Sequence, residues 1–146
     1  MIIPDINLLV YAYDNGAAHH DIARQWWDGL LGGEEKVGLP WSVTTGFVRL
    51  MSNPRAVSIA LSPVEAADYV IAWFQRNHIV PLNPDTTHLE HFSRNLAVAG
   101  SGTNLVSDAH IAALAIEHSA EVHSNDSDFN RFPGVRWSNP LQQSGA

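Results

Sequence analysis

The chain has 146 residues, 45% of them hydrophobic and 16% charged, which fits one globular domain and excludes a disordered chain or one with a membrane-length apolar run. A formal net charge of −7 argues against nonspecific nucleic-acid binding by the whole surface, while the basic residues, all Arg except Lys36, suit a local grip on phosphate. Having no cysteine excludes disulfides, thiolate zinc sites and thiol nucleophiles, and the start Met1-Ile2-Ile3-Pro4-Asp5 lacks a basic region and an apolar signal segment, so a cytoplasmic location is expected.

Ile2-Ile3 predicts a short buried strand ending near Asp5, then a helix that stops around Gly16. Asp5 reads two ways: as the cap of that helix, or as a ligand at the strand's C-terminal end. Asn7 reads as a cap residue or as a hydrogen-bond partner of a neighbouring carboxylate. A second helix is expected from His19 to Leu31, where Ile22, Ala23, Trp26, Trp27, Leu30 and Leu31 keep helical spacing before Gly32-Gly33. His19 and His20 are read as surface residues of its first turn. Val37 to Trp41 predicts the second strand. Ser42 is expected to cap a helix from Val43 to about Ser52 that carries Arg49 and stops before Asn53-Pro54.

Ser62-Pro63-Val64-Glu65 places a Ser cap, a first-turn Pro and a third-position Glu, and predicts a helix to about Asn77. Ile79 to Leu82 is the third expected strand. Thr87-His88-Leu89-Glu90 is read as another capping box, opening a helix to about Val98, with Gly100-Ser101-Gly102 as a connector. Ser107-Asp108 opens an Ala-rich helix from Ala109 to His118. Ala120-Glu121-Val122 gives the fourth strand, and Gly134 to Trp137 a last edge strand. Residues 1–140 are expected to form the domain and 141–146 a mobile tail. Short strands alternating with helices predict a three-layer α/β/α fold with a short parallel sheet of about four to five strands.

Under that topology Asp5, Asp108, Asp126 and Asp128 converge on one edge of the sheet, where open α/β sheets bind ligands. Asp126 and Asp128 lie two residues apart in the run His123-Ser124-Asn125-Asp126-Ser127-Asp128-Phe129. Close carboxylates repel unless a proton or cation lies between them, so the run reads as a divalent-metal site. A solvated acidic turn is the alternative, since Asp, Asn and Ser are ordinary turn formers. Phe129 is expected to pack beneath the loop.

Three motifs carry a family likeness: Pro4-Asp5-Ile6-Asn7-Leu8-Leu9, Ser107-Asp108-Ala109-His110-Ile111-Ala112-Ala113-Leu114-Ala115, and Ser124-Asn125-Asp126-Ser127-Asp128-Phe129. In this order the chain resembles the PIN-domain ribonucleases, and within them the VapC toxins of bacterial toxin–antitoxin pairs. The stretch Pro40 to Leu50 is similar to the helix after the second strand of such toxins, but where many PIN domains place a Glu this chain has Thr45 or Gly46.

The resemblance implies an endoribonuclease that depends on Mg²⁺ or Mn²⁺, with Asp5, Asp108, Asp126 and Asp128 as catalytic metal ligands. Asn7 is the candidate behind them and Arg49 a candidate contact to the RNA backbone. Oxygen ligands suit these hard cations. The resemblance also implies an RNA substrate, a VapB-type antitoxin and a homodimer, for which Leu8, Leu9, Tyr11, Trp26 and Trp27 could supply a surface, although the Trp pair reads first as core or edge packing. The missing Glu motivates an alternative: a PIN fold with weak or no nuclease activity that binds RNA or protein. A phosphatase using Asp5 as nucleophile ranks last, because Asn7 stands where its acid–base Asp belongs.

Overall fold

The computed structural model describes residues 1–100 and 105–142. Five parallel strands form one sheet: β1 (Ile2–Pro4), β2 (Val37–Pro40), β3 (Ile79–Leu82), β4 (Glu121–His123) and β5 (Arg136–Ser138), in the order β3-β2-β1-β4-β5. Between them run α1 (Ile6–Tyr13), α2 (His20–Gly32), α3 (Trp41–Met51), α4 (Pro63–Trp73), α5 (His88–Ala99) and α6 (Val106–His118). All residues of β2 are buried, and successive strand residues face opposite ways, so helices cover both faces of the sheet. In one group α1 packs on α2 and α3, and α3 on α4; in the other, α5 packs on α6, which also touches β4.

The chain builds the sheet outward from β1 through β2 to β3, then returns to the other side of β1 for β4 and β5. The switch point lies between β1 and β4, where Ile2, Ile3 and Pro4 pair with Glu121, Val122 and His123. A crevice opens there, beyond the carboxyl ends of both strands.

The three-layer α/β/α expectation holds, with five strands. Several local expectations give way to tertiary contacts. The third helix begins at Trp41 with Pro40 as its cap residue, so Ser42 lies inside the helix. Thr44 and Thr45 hydroxyls both donate to the Trp41 carbonyl there. Ser62 does cap α4, accepting from the Glu65 amide while its hydroxyl donates to the Glu65 carboxylate. That helix ends at Trp73, short of Asn77: Trp73 is buried and its indole donates to Tyr13 Oη, and the chain turns so that the His78 ring bonds the Leu30 carbonyl. Thr87 makes no capping bond to α5, because its amide and hydroxyl both donate to Asp85.

Leu8, Leu9 and Trp27 are fully buried in the chain's own core and cannot form a homodimer surface; α1 is wrapped by α2 and α3. Tyr11 and Trp26 are partly buried against that core. Leu141, assigned to the tail, is buried as well, while 143–146 of that tail and 101–102 of the expected connector lie outside the described residues. Among the described residues no helix is long and apolar enough to cross a membrane.

Candidate metal centre

Asp5 follows β1 directly. Its amide continues the β1–β4 ladder by donating to the His123 carbonyl at 2.9 Å, which sets it beside the residues that follow β4. Its extended backbone makes it the cap of α1, with Oδ1 accepting from the Ile6 amide at 2.8 Å. The two readings of Asp5 are thus compatible: one carboxyl oxygen caps, and the side chain still belongs to the crevice. Oδ2 accepts from the Ser124 hydroxyl at 2.7 Å. Burial pushes the Asp5 carboxyl above the usual carboxylate range, the Ser124 and Ile6 bonds oppose that shift, and the charge of Asp126 adds to it.

Ser124 is fully buried and joins the two halves of the site. Its hydroxyl also accepts from the Asp126 amide at 2.9 Å, and its own amide donates to the Ser138 carbonyl of β5. The Trp137 indole donates to the Ser124 carbonyl, and Asn139 donates to the Asn125 side chain. Asp126 then caps a short 3₁₀ turn, Ser127–Arg131, by accepting from the Asp128 amide at 2.9 Å. Phe129 is fully buried under this turn, edge-on to Phe132, as expected. The acidic loop is thereby held from below and from β5, and Asp126 is oriented by its cap to the Asp128 amide.

Asp108 comes from α6, in the first turn of a helix whose cap residue, Leu105, offers no side-chain oxygen. Ser107 is therefore not the helix opener expected from the sequence. Oxygens of Asp108, Asp126 and Asp128 all lie within 4.8 Å of one another. Asp5 stands beside this trio and acts on it electrostatically. The Asp108 carboxyl is pushed up to about 7, first by burial, then by the charges of Asp5 and Asp126, a hydrogen bond to Asp126, and the charge of Asp128. In the absence of a cation, protonation of Asp108 relieves the repulsion. A hard divalent ion does the same at higher pH, and an all-carboxylate oxygen set fits Mg²⁺ or Mn²⁺. Arg131 donates to Asp128 at 3.1 Å, but both side chains are well exposed, and such a pair is worth only about 0–1 kcal/mol. It does not compete seriously with a divalent ion.

A groove of about 590 Å³ leads away from Asp5. Ser42, Thr45, Gly46 and Arg49 of α3 form one wall; His88, Leu89 and Phe92 of α5 and the start of α6 form the other. Arg49 is exposed at this wall, a place from which a guanidinium reaches a phosphate. Thr45 stands in the groove without an acid, and Gly46 packs so tightly that a Cβ there would lie 2.6 Å from Ile6 Cδ1. Asn7 makes no side-chain hydrogen bond to any of the four Asp residues, and its Oδ1 is buried without a partner among the described residues. Ser124 takes the supporting place that the sequence suggested for Asn7. Its spacing carries no signal of that role, since the partner is Asp5, distant in sequence.

A parallel sheet with carboxylates gathered at its switch point defines an α/β protein whose acidic cluster could hold a metal ion. The PIN domain family profile matches residues 2–135. Ribonuclease VapC37 of Mycobacterium tuberculosis is 41% identical over 140 residues, covering 96% of this chain and 97% of that protein. Ribonuclease VapC33 of the same organism is 36% identical over 143 residues, covering 98% and 100%. Among solved structures, FitAB bound to a DNA fragment shares the fold with a TM-score of 0.71 at 20% identity, covering 99% of each chain. VapC20 of Mycobacterium tuberculosis, described as a sarcin-ricin loop cleaving toxin, gives 0.68 at 17% identity, covering 93% of this chain and 99% of that one. The chain belongs to the PIN-domain family, and within it to the VapC ribonucleases.

Proposed function

We propose that this chain is a metal-dependent endoribonuclease, the toxin of a toxin–antitoxin pair, acting in the cytoplasm. The observation that carries the reading is the convergence of Asp108, Asp126 and Asp128 from two separate elements to within 4.8 Å at the switch point of the sheet. Asp5, Asp108, Asp126 and Asp128 would hold Mg²⁺ or Mn²⁺. Such an ion supplies Lewis-acid polarisation of a phosphoryl oxygen and offsets the negative charge that builds up in phosphodiester cleavage. The chain's own residues do the rest. Ser124 fixes the direction of Asp5 and of the Asp126 backbone. The 3₁₀ turn over Phe129 holds Asp126 and Asp128. Arg49 neutralises an RNA phosphate along the groove, so the acidic crevice does not repel its substrate.

The chain's relatives carry VapC names, and solved structures of similar fold include VapBC of Rickettsia felis bound to promoter DNA and FitAcB of Neisseria gonorrhoeae. On that basis a VapB-type antitoxin is the partner that neutralises this chain, and an antitoxin cation facing the carboxylates suits the site's charge. A homodimer remains part of the proposal, but through a surface other than Leu8, Leu9 and Trp27.

The test is cleavage of bacterial total RNA by purified chain with Mn²⁺, with EDTA, and with Asp126→Asn. Discrete fragments that need Mn²⁺ and vanish in the variant are expected. A folded wild-type chain that cuts no RNA with either Mg²⁺ or Mn²⁺ would favour the binding-module reading that the acid-free Thr45 position motivates.

A further inference from the structure

The carboxyl edge of the sheet carries a second feature that the metal chemistry does not use. β2 and β3 pair in register to their last residues, Pro40 and Leu82, and the next residues of the chain are Trp41 and Asn83. On the other side of β2 lies β1, which is followed by Asp5. Trp41 thus stands one strand along the edge from Asp5, and adjacent strands lie about 4.8 Å apart.

Trp41 opens α3 and is 52% exposed. A single exposed apolar side chain is ordinary on a protein surface, but this one is held. Its indole N–H, which can only donate, bonds Asn83 Oδ1 at 2.8 Å, and its ring lies near Phe74 with centroids 6.3 Å apart. Beside it, Val48 of α3 and Val70 and Ile71 of α4 line a shallow hollow of about 300 Å³, at the lower end of the range for small-molecule sites. Thr45 lines both this hollow and the groove that leads from Asp5, so the two are continuous. Trp41, Thr45 and Arg49 are all exposed and follow one another at four-residue spacing, so they form one stripe along α3, about 12 Å from end to end.

The two ends of the stripe offer different chemistry. Arg49 offers charge for a phosphate. At the other end the indole N–H is tied to Asn83, and the Thr44 and Thr45 hydroxyls both donate to the Trp41 carbonyl. Among the described residues no charged side chain lines the hollow. What remains is a flat ring, fixed in direction, beside an apolar hollow. A phosphate finds no free donor there. A helix of a partner protein needs a longer apolar track, and this one runs into the polar groove at Thr45. A fixed ring takes another flat ring, and in single-stranded RNA that is an unpaired base.

We propose that Trp41 stacks on an unpaired base of an RNA strand whose backbone runs past Arg49, adding affinity on this side of the crevice without reading base identity. This rests on the nuclease reading above. Trp41 contacts substrate; Asn83 is a positioning residue.

The test reads affinity by anisotropy for a fluorescein-labelled mixed-sequence 12-nucleotide RNA. The second probe is an abasic strand of the same length that keeps the ribose-phosphate backbone and carries hydrogen in place of each base. Ca²⁺ is present, and gels confirm that the RNA stays intact. Trp41→Leu keeps apolar bulk and removes the flat ring. It is expected to lower RNA affinity about five- to hundredfold, the value of one base–aromatic stack, and to leave affinity for the abasic strand unchanged. Trp41→Phe is expected to restore much of the loss. Asn83→Ala frees the indole and is expected to give part of the loss, which tests the inference independently if Trp41→Leu folds poorly. A structural role alone would lower both affinities together. Loss that is equal for both strands overturns the inference, as does unchanged RNA affinity in Trp41→Leu. Unchanged RNA affinity with a fall from dimer to monomer in sedimentation would assign the surface to a second copy of the chain instead. In those cases the nuclease reading, judged by metal-dependent cleavage, survives. A folded wild type that binds neither strand and cuts no RNA refutes both.

Discussion

Replacing Asp108 by Asn separates the cost of the carboxylate cluster from its use. The Asp108 carboxyl sits at about 7 in the folded protein against 3.8 for the ordinary group. A carboxyl whose pKa is raised on folding stabilises the fold fully below its unfolded pKa, and that contribution is lost as pH rises through the folded value. The metal-free protein should therefore lose stability from this group between about pH 4 and 7. The full shift corresponds to roughly 4 kcal/mol, but Asp108 is half-exposed, and solvent screening reduces the expected effect to about 1–2 kcal/mol. Asn cannot ionise. In EDTA, Asp108→Asn should match the wild type near pH 4 and exceed it by that margin at pH 8, read by urea denaturation. Adding Mn²⁺ at pH 8 should stabilise the wild type and leave the variant unmoved. An Asn variant less stable than the wild type at pH 8 in EDTA would show that the carboxylates do not repel one another as described.

Thr45→Glu places a carboxylate in the groove beside Asp5 and should tighten Mn²⁺ binding by roughly tenfold in calorimetry, by adding ligand charge; unchanged affinity would mean that position 45 does not reach the ion. Ser124→Ala removes the hydroxyl shared by Asp5 and the Asp126 amide and should cost about 1–3 kcal/mol in urea unfolding, a loss of under 0.5 kcal/mol being the refuting result. Ser119 closes α6 in the left-handed region at φ 51°, so Ser119→Gly should raise stability by about 0.5–1 kcal/mol, and a lower urea midpoint would count against strain there.

What the sequence showed and what it hid follows from the range of the interactions involved. Ser62-Pro63-Val64-Glu65 is a cap whose donor and acceptor lie within one turn, and the structure keeps it. Ile79 to Leu82 is bounded by local signals and folds as read. Thr87 carries the same local signature as Ser62 and fails, because Asp85 captures both its donors. Trp27 reads from the sequence as core or edge packing before partner surface, and it is interior; Leu8 and Leu9 were legible as apolar but not as interior, since their partners come from other helices. The four Asp residues were legible because the topology alone brings strand ends and a helix start to one edge. Ser124 was not, because its role depends on Asp5 across the sheet.

That last contact has a consequence for synthesis. Asp5 and Ser124 are separated by 119 positions, and Ser124 is itself held by Ser138 of β5. At about 5–20 residues per second, Asp5 leaves the catalytic centre of the ribosome roughly 6–24 s before its partner is made. No shorter nascent fragment contains both sides of the crevice. The Asp5–Ser124 bond, and with it the joining of the two sides of the crevice, therefore forms only after most of the chain has been made.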